Sequence, residues 1–195
     1  RFNIKKIKVG HAGTLDPLAT GLLIICTGKQ TKEIDIYQGQ IKEYTGTITL
    51  GATTPSYDLE TEIDKAFSIE HISEELLKET TKQFIGEIQQ KPPIFSAIKK
   101  DGKRLYELAR KGETTEIKAR TVTVSEFEIT NINLPKVDFK VICSKGTYIR
   151  SLAFDFGVAL NSGAHLSALR RTKIGDFSVD KGLSVDEFIE NLKVD

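Results

Sequence analysis

Gly10-His11-Ala12-Gly13-Thr14-Leu15-Asp16-Pro17-Leu18-Ala19-Thr20-Gly21, running straight into the apolar Leu22-Leu23-Ile24-Ile25-Cys26-Thr27, is the least ordinary stretch of this 195-residue chain. Three glycines and a proline surround a single carboxylate, a composition that describes a tight loop holding Asp16 in one place. Pro17 pushes Asp16 towards extended backbone geometry and removes one competing backbone donor. The apolar run is of strand length and is flanked by Gly21 and Gly28, which predicts a central strand over 22–27 covered on both faces. From composition alone the loop is an Asp-Pro turn that carries a carboxylate.

Outward from the loop, strand and helix signals are mixed without strict alternation, and the fold class expected is α+β or mixed α/β. Residues 43–50 alternate, with Tyr44, Ile48 and Leu50 on one side and threonines on the other, so a half-buried strand is expected there. Ser73 can cap a helix with Glu74 and Glu75 in its first turn and an apolar stripe of Leu76, Leu77, Phe84 and Ile85, ending near Gly86. Residues 99–102 read as a turn, and the stretch after it as a short helix through Leu105, Leu108 and Ala109, stopped by Gly112. Strands are expected at 119–129 and 137–143. A second helix is expected over 148–160, buried through Ile149, Leu152, Ala153 and Phe156, the i, i+3, i+4, i+7 set. Ser184 and Glu187 have capping-box spacing, with Leu183 and Phe188 placed to staple the start of that helix.

The composition, 39% hydrophobic with a net charge of +1, suits one well-buried core and a single domain. No apolar run reaches the roughly 18 residues of a membrane span, and Arg1–Gly10 lacks the layout of a signal peptide, so a cytoplasmic protein is expected; separately, it is expected to be a monomer. Cys26 and Cys143 each sit in an apolar run and are expected as buried free thiols. Charge is unevenly spread. Nine acids and three bases fall between Asp58 and Glu87, whereas seven bases and two acids fall between Lys91 and Lys111, and Arg170, Arg171 and Lys173 form a second basic knot. One basic face is therefore expected, with Lys99, Lys100, Lys103, Arg170 and Arg171 as candidate nucleic-acid contacts. Gly28-Lys29 has the look of a P-loop tail, but Leu23 stands where Gly is required and Gln30 where Ser or Thr is required, so that motif fails. His11, His71 and His165 show no ligand spacing with each other or with the cysteines, and no metal site is expected.

The loop matches the pattern GHxGxLDPxAxG at each fixed position, and in this it resembles the active-site motif of the TruB family, the tRNA pseudouridine-55 synthases. Further family signatures follow in order: Lys42-Glu43-Tyr44; Ser96-Ala97-Ile98-Lys99 with Gly102-Lys103-Arg104-Leu105-Tyr106-Glu107; Cys143-Ser144-Lys145-Gly146-Thr147-Tyr148-Ile149-Arg150-Ser151-Leu152; Gly163-Ala164-His165; and Leu169-Arg170-Arg171-Thr172. The resemblance runs from about residue 8 to about residue 190. It implies a pseudouridine synthase-type fold, with a mixed, largely antiparallel central sheet flanked by helices. It also implies a reaction that breaks the N1–C1′ bond of uridine 55 in the tRNA T-arm, rotates the uracil and rejoins it through C5. Such an isomerisation has no net redox or hydrolytic step and implies no cofactor.

The resemblance gives each residue a task. Asp16 is the indispensable catalytic group, acting as nucleophile or as base at the ribose. Either task needs an ionised carboxylate, which an Asp near its ordinary ~3.9 already is at neutral pH, and burial under a base calls for a cationic partner. Arg150 matches that partner, and a guanidinium suits bidentate pairing. Tyr44 and Tyr148 match the two active-site tyrosines, able to stack on uracil or to serve in hydrogen bonding. Leu169 matches the apolar wall of the pocket. His11 matches the residue that fills the space in the RNA when the uridine is turned out, a step needed because the reacting atoms are inaccessible in a stacked loop.

Departures from the family pattern concern the ends and one side chain. Residues 1–195 are expected to be the catalytic domain, with the family's KPxGxTS-like segment either preceding Arg1 or missing, and no C-terminal RNA-binding PUA-type domain within the chain. Phe95 stands where Tyr is more usual. Two other readings compete: a guide-RNA-dependent pseudouridine synthase with a similar loop, and a tRNA-binding or folding protein without catalysis. Leu18-Ala19-Thr20-Gly21 favours the stand-alone kind over the first. Retention of Asp16, Tyr44, Tyr148 and Arg150 together argues against the second, since binding alone does not require the carboxylate.

Overall fold

The alternation over residues 43–50 makes one apolar and one hydroxyl-bearing face, and a strand of that kind belongs in a sheet packed on one side only. The computed structural model describes residues 7–96, 99–100, 103–104 and 117–191. Among them the strands in chain order are β1 (Val9–His11), β2 (Thr20–Gly21), β3 (Ile25–Thr27), β4 (Lys42–Leu50), β5 (Ala52–Thr53), β6 (Lys65–Ala66), β7 (Gly86–Gln90), β8 (Lys99–Lys100), β9 (Lys103–Arg104), β10 (Arg120–Asn133), β11 (Lys136–Cys143), β12 (Ala164–Ile174) and β13 (Phe177–Ser178). The α-helices are α1 (Ile34–Gly39), α2 (Glu74–Thr81), α3 (Ile149–Ala159) and α4 (Val185–Asn191).

The central sheet has the order β13-β12-β4-β11-β10-β7 with every neighbour antiparallel, and β2 joins β12 in parallel. It is the mixed, largely antiparallel sheet of an α+β protein. One face is the core: Ile48 and Leu50 of β4, Val124 and Phe127 of β10, and Val137, Phe139, Val141 and Cys143 of β11 meet Leu77 of α2 and Ile149, Leu152, Ala153 and Phe156 of α3. Phe127 stands edge-on to Phe139 at 6.1 Å and tilts against Phe156 at 5.3 Å, geometries that suit the ring quadrupoles. Gly157 lets α3 lie directly on β12, since a Cβ there would come within 2.5 Å of Ala164. The other face carries hydroxyls, with Thr47 Oγ1 donating to Asp138 Oδ1 at 2.6 Å and Thr49 Oγ1 to Ser167 Oγ at 2.8 Å.

Strands β4, β10 and β11 and helix α3 lie where the alternation and the i, i+3, i+4, i+7 set place them, with β10 continuing to Asn133. Cys26 and Cys143 are both buried and free. Ser73 Oγ accepts from Leu76 N–H at 3.2 Å, and the capping box forms, Ser184 N–H donating to Glu187 Oε2 and Glu187 N–H to Ser184 Oγ.

Three expectations need correction. The run 22–27 is no central strand: only Ile25–Thr27 is β3, it pairs with β1 in a separate two-stranded sheet, and Leu23 and Ile25 are exposed. Leu22 is pulled away instead, its N–H donating to Arg171 O beside β2, so the chain turns inside the run before a longer strand can form. Helix α2 ends at Thr81 and buries Leu77, Thr80 and Thr81, while Leu76 and Ile85 face outward; a 3-10 turn over Lys82–Phe84 rotates the chain and breaks the expected stripe. Leu183 and Phe188 remain exposed, so the expected staple is not buried. Strands β8 and β9 pair with each other, and residues 101–102 of the expected turn and the helix expected after it lie outside the described residues.

Candidate active site

Asp16 is held by its own loop and by one arginine. Ala19 N–H donates to Asp16 O at 2.9 Å, closing a turn around Pro17, and Ala12 N–H donates to Ile24 O across the base of the loop. Arg171, which is 2% exposed, reaches under the loop: its Nε donates to Leu22 O at 2.8 Å and its Nη2 to Gly13 O at 3.0 Å, tying both arms of the loop to β12. Gly21 permits the approach. Its φ is +102°, and a Cβ would meet Arg171 O at 2.2 Å. The basic knot is therefore divided: Arg170 faces outward, and Arg171, expected on the RNA surface, is a buried tie beneath the Asp16 loop.

The Asp16 carboxylate meets Arg150 in a fork, Nε to Oδ2 at 3.0 Å and Nη2 to Oδ1 at 2.7 Å. Arg150 lies in the first turn of α3, where the positive end of the helix dipole disfavours a cation, so its place is set by its acceptors. Its Nη1 donates to Ser56 O at 3.1 Å and Nη2 also to Phe95 O at 3.0 Å. A second carboxylate faces it, with Asp58 Oδ2 at 3.6 Å from Nε. Arg150 and Asp58 have side-chain exposures of 4% and 6%, whereas Asp16 keeps 32%. Of the two acids on one buried guanidinium, Asp16 is the one open to a reactant. The loop carrying Asp58 is braced by hydroxyls, Thr54 Oγ1 donating to Asp58 O at 2.6 Å and Ser56 Oγ lying 2.8 Å from Thr61 Oγ1.

Asp16 opens into a cleft of about 790 Å³ that Tyr44, Tyr148, Leu169, Lys42, Arg120 and Arg171 help to line. The sequence-selected Asp16, Tyr44, Tyr148 and Leu169 thus share one wall system, and Arg150 lies behind Asp16. Burial pushes the Tyr44 phenol up, with the Arg171 guanidinium pulling it the other way. Burial, with Arg171 nearby, lowers the Lys42 ammonium, whose Nζ donates to Gln38 O at 2.5 Å and Gln40 O at 2.6 Å. The Cys143 thiol below is pushed up by burial to about 11. His11 lies apart from that lining, exposed on β1 and paired with Ile25. The backbone of Lys99, Lys100 and Lys103 forms the short β8–β9 pair, and their side chains lie outside the described set. Among the described residues no three His, Cys, Asp or Glu side chains converge as metal ligands.

Residues the sequence did not single out complete the site. Asp58 stands at the head of an acidic stretch that, counted as charge, reads as solvated surface; the signal for it is the short polar Thr53-Thr54-Pro55-Ser56 that precedes it. Gln90 is fully buried and holds Tyr148 by its backbone, accepting from Tyr148 N–H at 2.8 Å and donating to Tyr148 O at 3.0 Å. Arg120 lies with its guanidinium 4.6 Å over the Tyr148 ring.

The fold is that of the pseudouridine synthases. A chain of the solved Cbf5-Nop10-Gar1 complex matches it with a TM-score of 0.66 at 33% identity, over 88% of this chain and 41% of that one. A chain of an H/ACA RNP bound to a substrate RNA containing 2′-deoxyuridine matches with a TM-score of 0.66 at 28% identity, over 96% and 47%. Residues 1–149 match the model of the TruB family pseudouridylate synthase (N terminal domain). The tRNA pseudouridine synthase B of Flavobacterium johnsoniae is 69% identical over 189 residues, covering 97% of this chain and 82% of that protein. The chain belongs to the TruB family.

Proposed function

We propose that this chain converts uridine 55 in the T-loop of tRNA to pseudouridine, working as a stand-alone enzyme without a guide RNA. The observation that carries the reading is the Asp16–Arg150 fork, whose carboxylate alone remains open to a cleft flanked by Tyr44, Tyr148 and Leu169. The uridine is turned out of the loop, His11 fills the space it leaves, and the uracil enters between the tyrosines and Leu169. Asp16 acts on the ribose–uracil unit as nucleophile or as base at the ribose. One C–N bond is exchanged for one C–C bond, C5 gives up its proton and N1 takes one, so the atoms balance without a co-reactant. Arg150 holds Asp16 aimed through the two-pronged fork. The 69% identity to a tRNA pseudouridine synthase B supports tRNA as the substrate. Residues 1–195 act as one monomeric catalytic domain in the cytoplasm.

The likeness to a chain of an H/ACA RNP supports a second reading, a guide-dependent enzyme, at lower identity. One assay separates them: the protein is incubated with an unmodified tRNA transcript and no other RNA, and the T-loop is examined for pseudouridine. Modification without a guide is expected; its absence, restored by a guide RNA, would favour the second reading.

Substrate choice should follow the folded shape of the T-arm, because extruded loop bases are recognised through loop geometry. A mini-helix carrying only that arm is expected to be modified. Modification of whole tRNA with none of the mini-helix would overturn this.

Binding should be strongly salt-dependent. If the basic segment from Lys91 to Lys111 lies along the RNA, replacing Lys99, Lys100 and Lys103 by alanine lowers the slope of log affinity against log salt by up to about 0.7–0.9 for each phosphate no longer neutralised. An unchanged slope would put the RNA on another face, with Arg170 as the next candidate.

A further inference from the structure

Gln90 and Arg120 are directly opposed residues of β7 and β10, so their side chains project from the same face of the sheet. Both reach Tyr148. Gln90 takes the backbone, satisfying the N–H and one lone pair of the carbonyl, whose other partner is Leu152 N–H within α3. Arg120 takes the ring, its guanidinium 4.6 Å above the centroid. The guanidinium is itself anchored, because Nη2 donates to Gly146 O in the turn that leads into α3. Among the described residues its buried Nε has no acceptor, so the anchoring of the guanidinium comes from Nη2 and the ring.

The Tyr148 side chain makes no capping hydrogen bond at the start of α3. Its ring has two faces, and a cation over one leaves the other for a base. Arg120 and Tyr148 both line the cleft that Asp16 opens on. We infer that Gln90 and Arg120 form a clamp on Tyr148, and that Arg120 is a positioning residue fixing the plane of the ring that the uracil meets. The inference rests on the proposed function for what the ring does, and on geometry alone for the clamp itself. Arg120 then contributes to turnover through Tyr148 and not through a phosphate of the RNA.

A double-mutant cycle and a spectroscopic readout test this. Arg120→Gln is expected to lower single-turnover pseudouridine formation about tenfold while tRNA affinity stays within about twofold and its salt slope is unchanged. Arg120→Lys, which keeps a cation near the ring without the planar stack, should recover part of that loss. In a Tyr148→Leu background Arg120→Gln should cost no more than about twofold, because residues acting as a unit are not additive. Losses that multiply in that background, with a salt slope lowered by about one, would make Arg120 a direct phosphate ligand and overturn the clamp; so would full turnover by Arg120→Gln. If Arg120→Gln does not fold, Arg120→Lys carries the same cycle.

The clamp is also readable without RNA. With 3-fluorotyrosine at the five tyrosines, the ¹⁹F resonance that disappears in Tyr148→Leu should shift and narrow in Arg120→Gln as the ring gains freedom. An unmoved resonance would reject the clamp even in an active enzyme. Wild-type protein that modifies no tRNA, together with a shifted resonance, would reject the proposed function and leave the clamp standing.

Discussion

Asp16→Asn is expected to abolish pseudouridine formation while leaving tRNA affinity within a few-fold of the parent. Asn keeps the size of the side chain and one oxygen that Arg150 can still donate to, so the loop should keep its shape. It supplies neither a negative charge nor a useful nucleophile or base, and only the chemical step should suffer. The loop's supports are independent of the carboxylate: Arg171 grips Gly13 O and Leu22 O, and Ala19 N–H takes the backbone carbonyl of Asp16. Thermal stability should therefore change little. Pseudouridine is read by chemical mapping of the T-loop after long incubation, and affinity by filter binding at one fixed salt concentration. Turnover by Asp16→Asn, with contamination and deamidation back to Asp excluded, would show that Asp16 is not the catalytic residue.

The elements legible in the sequence are those whose pattern is local. The alternation in β4 and the 3.6-residue set in α3 each state which face is buried, and both faces are buried as stated. The run 22–27 misleads because an apolar run says only that side chains avoid water, not that a sheet receives them. Its fate is decided by Arg171, far away in the chain, whose backbone carbonyl takes Leu22 N–H. The same contact hides the role of Arg171 itself. A base beside another base reads as surface charge, and nothing local says that its partners are the carbonyls of Gly13 and Leu22. The Asp16–Arg150 pair is legible only through family motifs, since 134 positions separate the two residues. Gln90, Arg120 and Asp58 carry no such motif, and their roles exist only once β7, β10 and the 53–58 loop close around α3.

Arg150→Leu is expected to damage both stability and turnover, and the two losses should be separable. In the parent one guanidinium serves two carboxylates, Asp16 in a fork and Asp58 at 3.6 Å, and it also satisfies the carbonyls of Ser56 and Phe95. Leucine fills much of the space but removes the guanidinium that faces Asp58, whose side chain is 6% exposed. Removing one partner of a buried ion pair costs about 3–5 kcal/mol, because the remaining charge stays desolvated. For a domain of this size that is a fall in Tm of roughly 6–20 °C. Turnover should drop by at least about 100-fold below the melting range, since Asp16 loses the fork that aims it and small misplacements of a catalytic group cost that much. Arg150→Lys separates the effects: an ammonium restores a charge between the two acids and should recover part of the stability, but a point donor cannot reproduce the bidentate geometry, so turnover should remain low. Adding Asp58→Asn to Arg150→Leu should return stability without returning activity, because it removes the stranded charge and leaves Asp16 unaimed. Calorimetry and single-turnover rates on the three variants check each step. Parental turnover in Arg150→Leu would remove Arg150 from the mechanism, and a double variant no more stable than Arg150→Leu would show that Asp58 is not the charge it neutralises.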